Sequence, residues 1–192
     1  MSQTPATPVT ELLAARRPRR ADAARNFDAA LASARAVFTE KGGGASMEAI
    51  ARHAGVGIAT LYRNFPTRES LIEAVYVAEV DQICRYGVDL TSKVPGEALD
   101  AWLEQFALYL NTKRALIEGL SRESEAFQVC RTAIYATGEP LLRRAQATGA
   151  ARTDVDIDDV MRYIFGVTAG TYQNDDQRRR VIRMAIEAVH II

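Results

Sequence analysis

Cysteine and histidine are scarce, with two of each in 192 residues. Cys84 and Cys130 stand alone, without a Cys or His at ligand spacing, which excludes a disulfide framework and leaves a structural zinc site without ligands. Net charge is also missing, because 24 Lys and Arg offset 24 Asp and Glu. Bulk charge therefore argues neither for nor against nucleic acid. No window approaches the roughly 18 apolar residues of a membrane span, and Met1–Thr10 lacks the basic-then-apolar order of a secretory leader. A cytoplasmic protein with no membrane partner is expected. Alternating strand patterns, internal repeats and Gly-rich phosphate loops are absent as well.

What is present is an ordinary globular composition, 48% hydrophobic and 25% charged, in a chain of one- or two-domain length. The neutral total hides an asymmetry. Residues 1–72 hold ten Lys/Arg against six Asp/Glu, a balance of +4, and residues 73–192 hold fourteen against eighteen, a balance of −4. Arg16, Arg17, Arg19 and Arg20 cluster around Pro18 in a tail poor in apolar residues, so residues 1–20 are expected to be a flexible basic arm.

Helical periodicity governs the rest. Phe27, Ala30, Leu31, Ala34, Val37 and Phe38 follow the i, i+3, i+4, i+7 template, with the Gly42–Gly44 run as a stop. Ser46 is a good N-cap for a short second helix that Gly55 ends, and Pro66 closes a third short helix after Gly57. Thr67 caps a fourth, carried to about Thr91 by Leu71, Ile72, Val75, Val80 and Ile83. Further helices are expected from Glu97 through Leu110, in a short piece at residues 114–120, and from Phe127 to Ala145 across Pro140. Two more run from Asp156 to about Gly170 and from Asp175 or Asp176 toward the C-terminus. The fold class is all-α with about nine helices.

The informative stretch is residues 46–65, where a short helix, a tight turn at Gly55-Val56-Gly57 and a second short helix make a helix-turn-helix layout. Ala51 and Gly55 are small where the two helices approach, and Ile50, Val56 and Leu61 can bury the junction. The run Ser46-Met47-Glu48-Ala49-Ile50-Ala51-Arg52-His53-Ala54-Gly55-Val56, followed by Ala59-Thr60-Leu61-Tyr62-Arg63-Asn64-Phe65-Pro66-Thr67-Arg68-Glu69-Ser70-Leu71, closely resembles the DNA-binding signature of tetracycline-repressor-type (TetR) transcriptional regulators. The resemblance covers Arg25 to about Ile72. Gly57 and Arg68 depart from it, since the family usually carries Ser and Lys there.

The resemblance implies a DNA-binding domain at residues 21–66 and a helical ligand-binding and dimerisation domain at 67–192. It also implies a double-stranded DNA operator, a homodimer joined by the last two helices, a small organic ligand, and neither a metal nor a cofactor. Its DNA-facing positions fall on Thr60, Tyr62, Arg63 and Asn64, with Ser46 and Arg68 at helix starts where backbone N–H groups favour phosphate. Residue chemistry agrees, because Asn and Arg can pair bidentately with adenine and guanine edges and a tyrosine hydroxyl suits a phosphate. Candidate ligand contacts are Trp102, Phe106, Tyr109, Phe127, Cys130 and Ile134, each of which can equally be ordinary core. Candidate dimer contacts are Ile164, Val167, Ile182, Ala185, Ile186 and Val189. Asp154, Asp156 and Asp158 echo a calcium loop but lack its Gly and Glu, so helix capping is expected instead. Arg178–Arg180 read as a solvated face or dimer-edge charges. The reading is a ligand-responsive repressor. Its rivals are a ligand-independent architectural DNA binder and an all-helical enzyme, for which no nucleophile–base pair is visible.

Overall fold

The computed structural model describes residues 8–41, 44–116, 121 and 123–190. Nine α-helices and no multi-residue strand occur among the described residues: α1 Pro8–Arg16, α2 Ala21–Lys41, α3 Met47–Ala54, α4 Ile58–Asn64, α5 Arg68–Asp89, α6 Pro95–Leu116, α7 Glu125–Ala147, α8 Ile157–Thr168 and α9 Asp175–Glu187. The expected short piece at 114–120 merges into α6 as far as Leu116, and its remainder lies outside the described residues. α7 runs unbroken through Pro140, which lacks the N–H that would close one helical turn.

Of the expected arm at residues 1–20, residues 1–7 lie outside the described residues and the rest differs from expectation. Residues 8–16 form a helix rather than a flexible arm, because two apolar side chains and a polar one find partners: Val9 is fully buried, Leu13 packs on the core, and Thr10 donates to the buried Asp81 carboxylate.

The chain divides into two compact units. In the unit of Pro5–Asp81 and Thr112–Arg131, the core of Phe27, Phe38, Ile50, Leu61, Phe65, Leu71 and Ile72 welds α2, α3, α4 and the start of α5. Glu79 is buried at 5% exposure and held by Arg35 at 2.7 Å. Burial pushes its carboxyl up, and the neighbouring guanidinium pulls against that rise.

The unit of Gln82–Asn111 and Thr132–Ile192 is organised around Trp102, which is completely buried. Its ring stacks on Phe106 with centroids 5.8 Å apart. It also lies against the backbone at Gly87 and Gly138, where an added Cβ would come within 3.1 Å and 2.5 Å of it. Asp156 caps α8 in a reciprocal box with Asp159, satisfying orphan N–H groups as the spacing predicts. α9 starts at Asp175, one of its two expected starts, with Asn174 as its cap.

His190 closes this unit. Its Nδ1 lies 2.8 Å from the Ala150 carbonyl and its Nε2 2.6 Å from Asp100. Both partners are acceptors, so the ring is satisfied when both nitrogens carry hydrogen. Burial lowers its pKa, but Asp100, the Ala150 carbonyl and Glu187 outweigh that and leave it raised above 6.5. The stabilisation is complete below the unfolded-state value and is lost as pH rises through the higher folded-state value. Thermal unfolding should show the Tm advantage of wild type over His190→Gln shrinking as pH rises from 6 to 8. A pH-independent difference would contradict a charged clasp.

Candidate nucleic-acid interface

α3 begins where the sequence says it should. Ser46 takes an extended conformation and its Oγ accepts from the Ala49 N–H at 3.2 Å. Gly55 ends the helix at φ 67°, ψ 24°, a left-handed geometry that costs a side-chain-bearing residue strain. The Val56 N–H then bonds back to the Ala51 carbonyl at 3.0 Å, which turns the chain sharply into α4. Gly57 caps α4 without a side-chain hydrogen bond. At the far end, Thr67 Oγ1 accepts from the Ser70 N–H at 3.1 Å, while Ser70 Oγ accepts from the Thr67 N–H at 3.2 Å. That reciprocal pair starts α5 at the expected capping residue.

The turn geometry fixes which side of α4 faces out. Leu61 is fully buried and Phe65 is 2% exposed, its ring stacked on Phe27 at 4.9 Å. Tyr62 and Arg63 are exposed, Thr60 and Asn64 half-buried. Arg63 donates to Thr60 Oγ1 at 3.2 Å and the Asn64 amide to the Thr60 carbonyl at 3.1 Å. Four of the predicted DNA-facing residues thus share one short helix, and Ser46 is exposed at the start of α3. Arg68 is braced from behind. Its Nε reaches the Ala45 carbonyl at 3.5 Å and its guanidinium lies over the Phe38 ring, 5.5 Å from the centroid. The cation therefore sits at the junction of α2, the α3 entrance and the α5 start, oriented before any ligand arrives.

Ile58, the first residue of α4, is 39% exposed. Arg52 and His53, at the end of α3, are exposed too.

Comparison with known proteins decides what this arrangement belongs to. Residues 30–75 match the model of bacterial regulatory proteins of the tetR family. Residues 94–189 match the model described as the C-terminal domain of SbtR-like transcriptional regulators. A TetR transcriptional regulator from Streptomyces coelicolor is 35% identical over 85% of this chain and 98% of its own, with a TM-score of 0.72. A TetR regulatory protein from Mycobacterium vanbaalenii is 31% identical over 91% of this chain and 100% of its own, with a TM-score of 0.70. The chain belongs to the TetR family of transcriptional regulators. A search of curated proteins finds no match.

In this TetR-family regulator the α3–α4 pair is the DNA-binding helix-turn-helix, and α4 is its second, recognition helix. The candidate ligand contacts fall in two groups. Trp102, Phe106, Tyr109 and Ile134 belong to one compact unit and are buried. Phe127 and Cys130 belong to the other, where Phe127 stacks on Tyr76 at 5.7 Å. The indole Nε1 of Trp102 is buried and meets no acceptor among the described residues.

Of the candidate dimer contacts, Ile164, Ala185, Ile186 and Val189 are buried inside the chain, and Val167 and Ile182 are half-buried. The large apolar side chains that α8 and α9 expose are Tyr163, Phe165 and Met184, at 47%, 46% and 65%. Helical spacing identified the apolar line of each helix but could not say which neighbour it meets. α8 and α9 pack against each other within the chain.

The acidic and basic runs of the C-terminal part find partners within the chain. Asp156 caps α8, Asp154 pairs with Arg152 at 2.7 Å, and Asp158 accepts from the Tyr135 hydroxyl at 2.8 Å. Arg178 pairs with Asp175 at 3.3 Å and Arg179 with Asp176. No group of three or more His, Cys, Asp or Glu among the described residues is placed to hold a metal ion. No helix among them is long and apolar enough to cross a membrane.

Proposed function

We propose that this regulator is a homodimeric repressor that binds a palindromic operator and leaves it when a small organic molecule binds. The observation that carries the DNA half is α4, with Leu61 and Phe65 anchoring it and Thr60, Tyr62, Arg63 and Asn64 on its outer side. Asn64 and Arg63 are assigned to base edges, and Tyr62, Ser46 and Arg68 to phosphates. Residues 21–66 act as the reading head and 67–192 as the ligand-binding and dimerisation part.

One recognition helix contacts too few base pairs for specific affinity, so two heads related by a two-fold axis are required. The exposed Tyr163, Phe165 and Met184 supply apolar surface for that pairing. For the ligand, Trp102 Nε1 is the supporting feature, because a buried donor without an acceptor costs free energy that a carbonyl or carboxylate on a bound molecule would recover. Release follows if the ligand favours the form whose reading heads are wrongly spaced. The working site is the cytoplasm, where the operator is, and no catalysis or cofactor takes part.

Selection of bound fragments from genomic DNA tests the reading. It predicts enrichment of a palindromic site. Tight binding without sequence preference, unresponsive to small molecules, would favour an architectural protein instead.

A further inference from the structure

Three carboxylates on one stretch of α5 are met by residues from the helices ahead of it. Asp81, 4% exposed, accepts from the Thr10 hydroxyl of α1, Glu79 is held by Arg35 of α2, and Glu73 pairs with Arg16 at the end of α1. Since Thr10 meets α5 at Asp81 and Arg16 meets it at Glu73, α1 runs antiparallel to α5. The two carboxylates lie about 12 Å apart along the helix axis. One residue past α1, the Arg17 guanidinium donates twice to the Asp28 carboxylate of α2, at 2.8 and 2.6 Å. α1 is therefore tied to both α2 and α5.

These ties reach beyond the packing that closes the helix-turn-helix region. The core that joins α2, α3, α4 and the start of α5 is formed by residues 27–75, with Leu13 as the contribution of α1. Asp81 lies further along α5, and α5 itself runs on to Asp89, past the boundary of this compact unit. Exposed ion pairs add little to stability, and both members of the Arg17–Asp28 pair are about half exposed. Their effect is directional. With α1 bonded to α2 on one side and at two levels of α5 on the other, α5 cannot tilt against α2 without breaking a contact.

We propose that α1 is a splint that fixes the angle of the reading head on α5, with Arg16 and Glu73 as positioning residues that set which half-site spacing the dimer accepts. The inference deepens the operator-binding reading given above and rests on it. A dimer binds two half-sites at one separation because its two recognition helices are held at one separation. α5 is the helix that leads from each head into the rest of its chain. A head splinted to α5 keeps its setting, whereas a head released from α1 can tilt to follow a displaced half-site. The splint thus adds discrimination between spacings and leaves the contacts of a single head with DNA as they are.

The test compares full-length proteins on the selected operator, on the same operator with one base pair added to or removed from its centre, and on a duplex carrying a single half-site. One base pair displaces a half-site by about 3.4 Å along the duplex and about 35° around it. Wild type should bind the altered spacings many-fold more weakly than the natural one. Arg16→Gln and Glu73→Gln change the net charge in opposite senses, yet both should narrow that preference several-fold while leaving the single half-site Kd unchanged. The charge-swapped Arg16→Glu/Glu73→Arg should regain the wild-type preference. If both single variants keep the wild-type preference while wild type still selects its operator, α1 serves stability alone, so the splint is refuted and the regulator reading stands. If Arg16→Gln weakens and Glu73→Gln strengthens binding to every duplex, the effect is one of bulk charge and the splint is refuted too. If wild type selects no operator at all, the failure belongs to the regulator reading, and the splint falls with it.

Discussion

Replacing Trp102 by alanine is expected to destabilise the protein by about 3–5 kcal/mol, the range found when a fully buried large aromatic is truncated. The ring is completely inaccessible, stacked on Phe106, and rests on Gly87 and Gly138. The mirror experiment is Gly138→Ala. Its Cβ would lie 2.5 Å from the Trp102 ring and 2.9 Å from the Ile157 side chain, closer than atoms pack, so α7 or the indole must shift at a cost of about 1–3 kcal/mol. Because both changes act on one contact, Trp102→Phe/Gly138→Ala should cost less than the sum of its single changes. Urea denaturation of the four proteins measures this. Strict additivity would show that Gly138 is not there to admit the ring.

The second large effect concerns assembly. Phe165→Glu/Met184→Glu places two charges on the apolar surface that α8 and α9 leave exposed. Sedimentation at micromolar concentration should then show a dimer for wild type and a monomer for the variant. Operator affinity should fall by on the order of a hundredfold, about 2.8 kcal/mol, because each half-site is then bound without help from the other. Far-UV circular dichroism should stay unchanged, since neither side chain belongs to the chain's own core. A variant that remains dimeric would move the interface elsewhere on the molecule.

The helix-turn-helix was legible in the sequence with little loss, because its determinants are local. Ser46, Gly55 and Thr67 each act within three or four residues, through a cap or a left-handed turn, and each sits where the spacing put it. The α8 capping box at Asp156 is legible for the same reason. Features set by distant partners were harder to read. The polar, Arg-rich composition of residues 8–20 gave no sign that Val9 and Thr10 would find seats and turn an expected arm into α1. The apolar periodicity of α8 and α9 gave the buried line of each helix but not its partner, and four of the six residues expected at a dimer contact, Ile164, Ala185, Ile186 and Val189, are buried within the chain while Val167 and Ile182 are half-buried. Trp102 and Gly138 are 36 positions apart, and nothing in either local pattern announces that one makes room for the other.

The central claim is that α4 reads base edges, and competition binding at matched salt between the selected operator and a scrambled duplex tests it most directly. Asn64→Ala and Arg63→Ala should each lose about 1–3 kcal/mol on the operator and much less on the scrambled sequence, narrowing the ratio between them. Tyr62→Phe and Arg68→Ala should weaken both duplexes alike. If all four substitutions lower both affinities equally, α4 does not read sequence, and the account of this protein as an operator-specific regulator through that helix is contradicted.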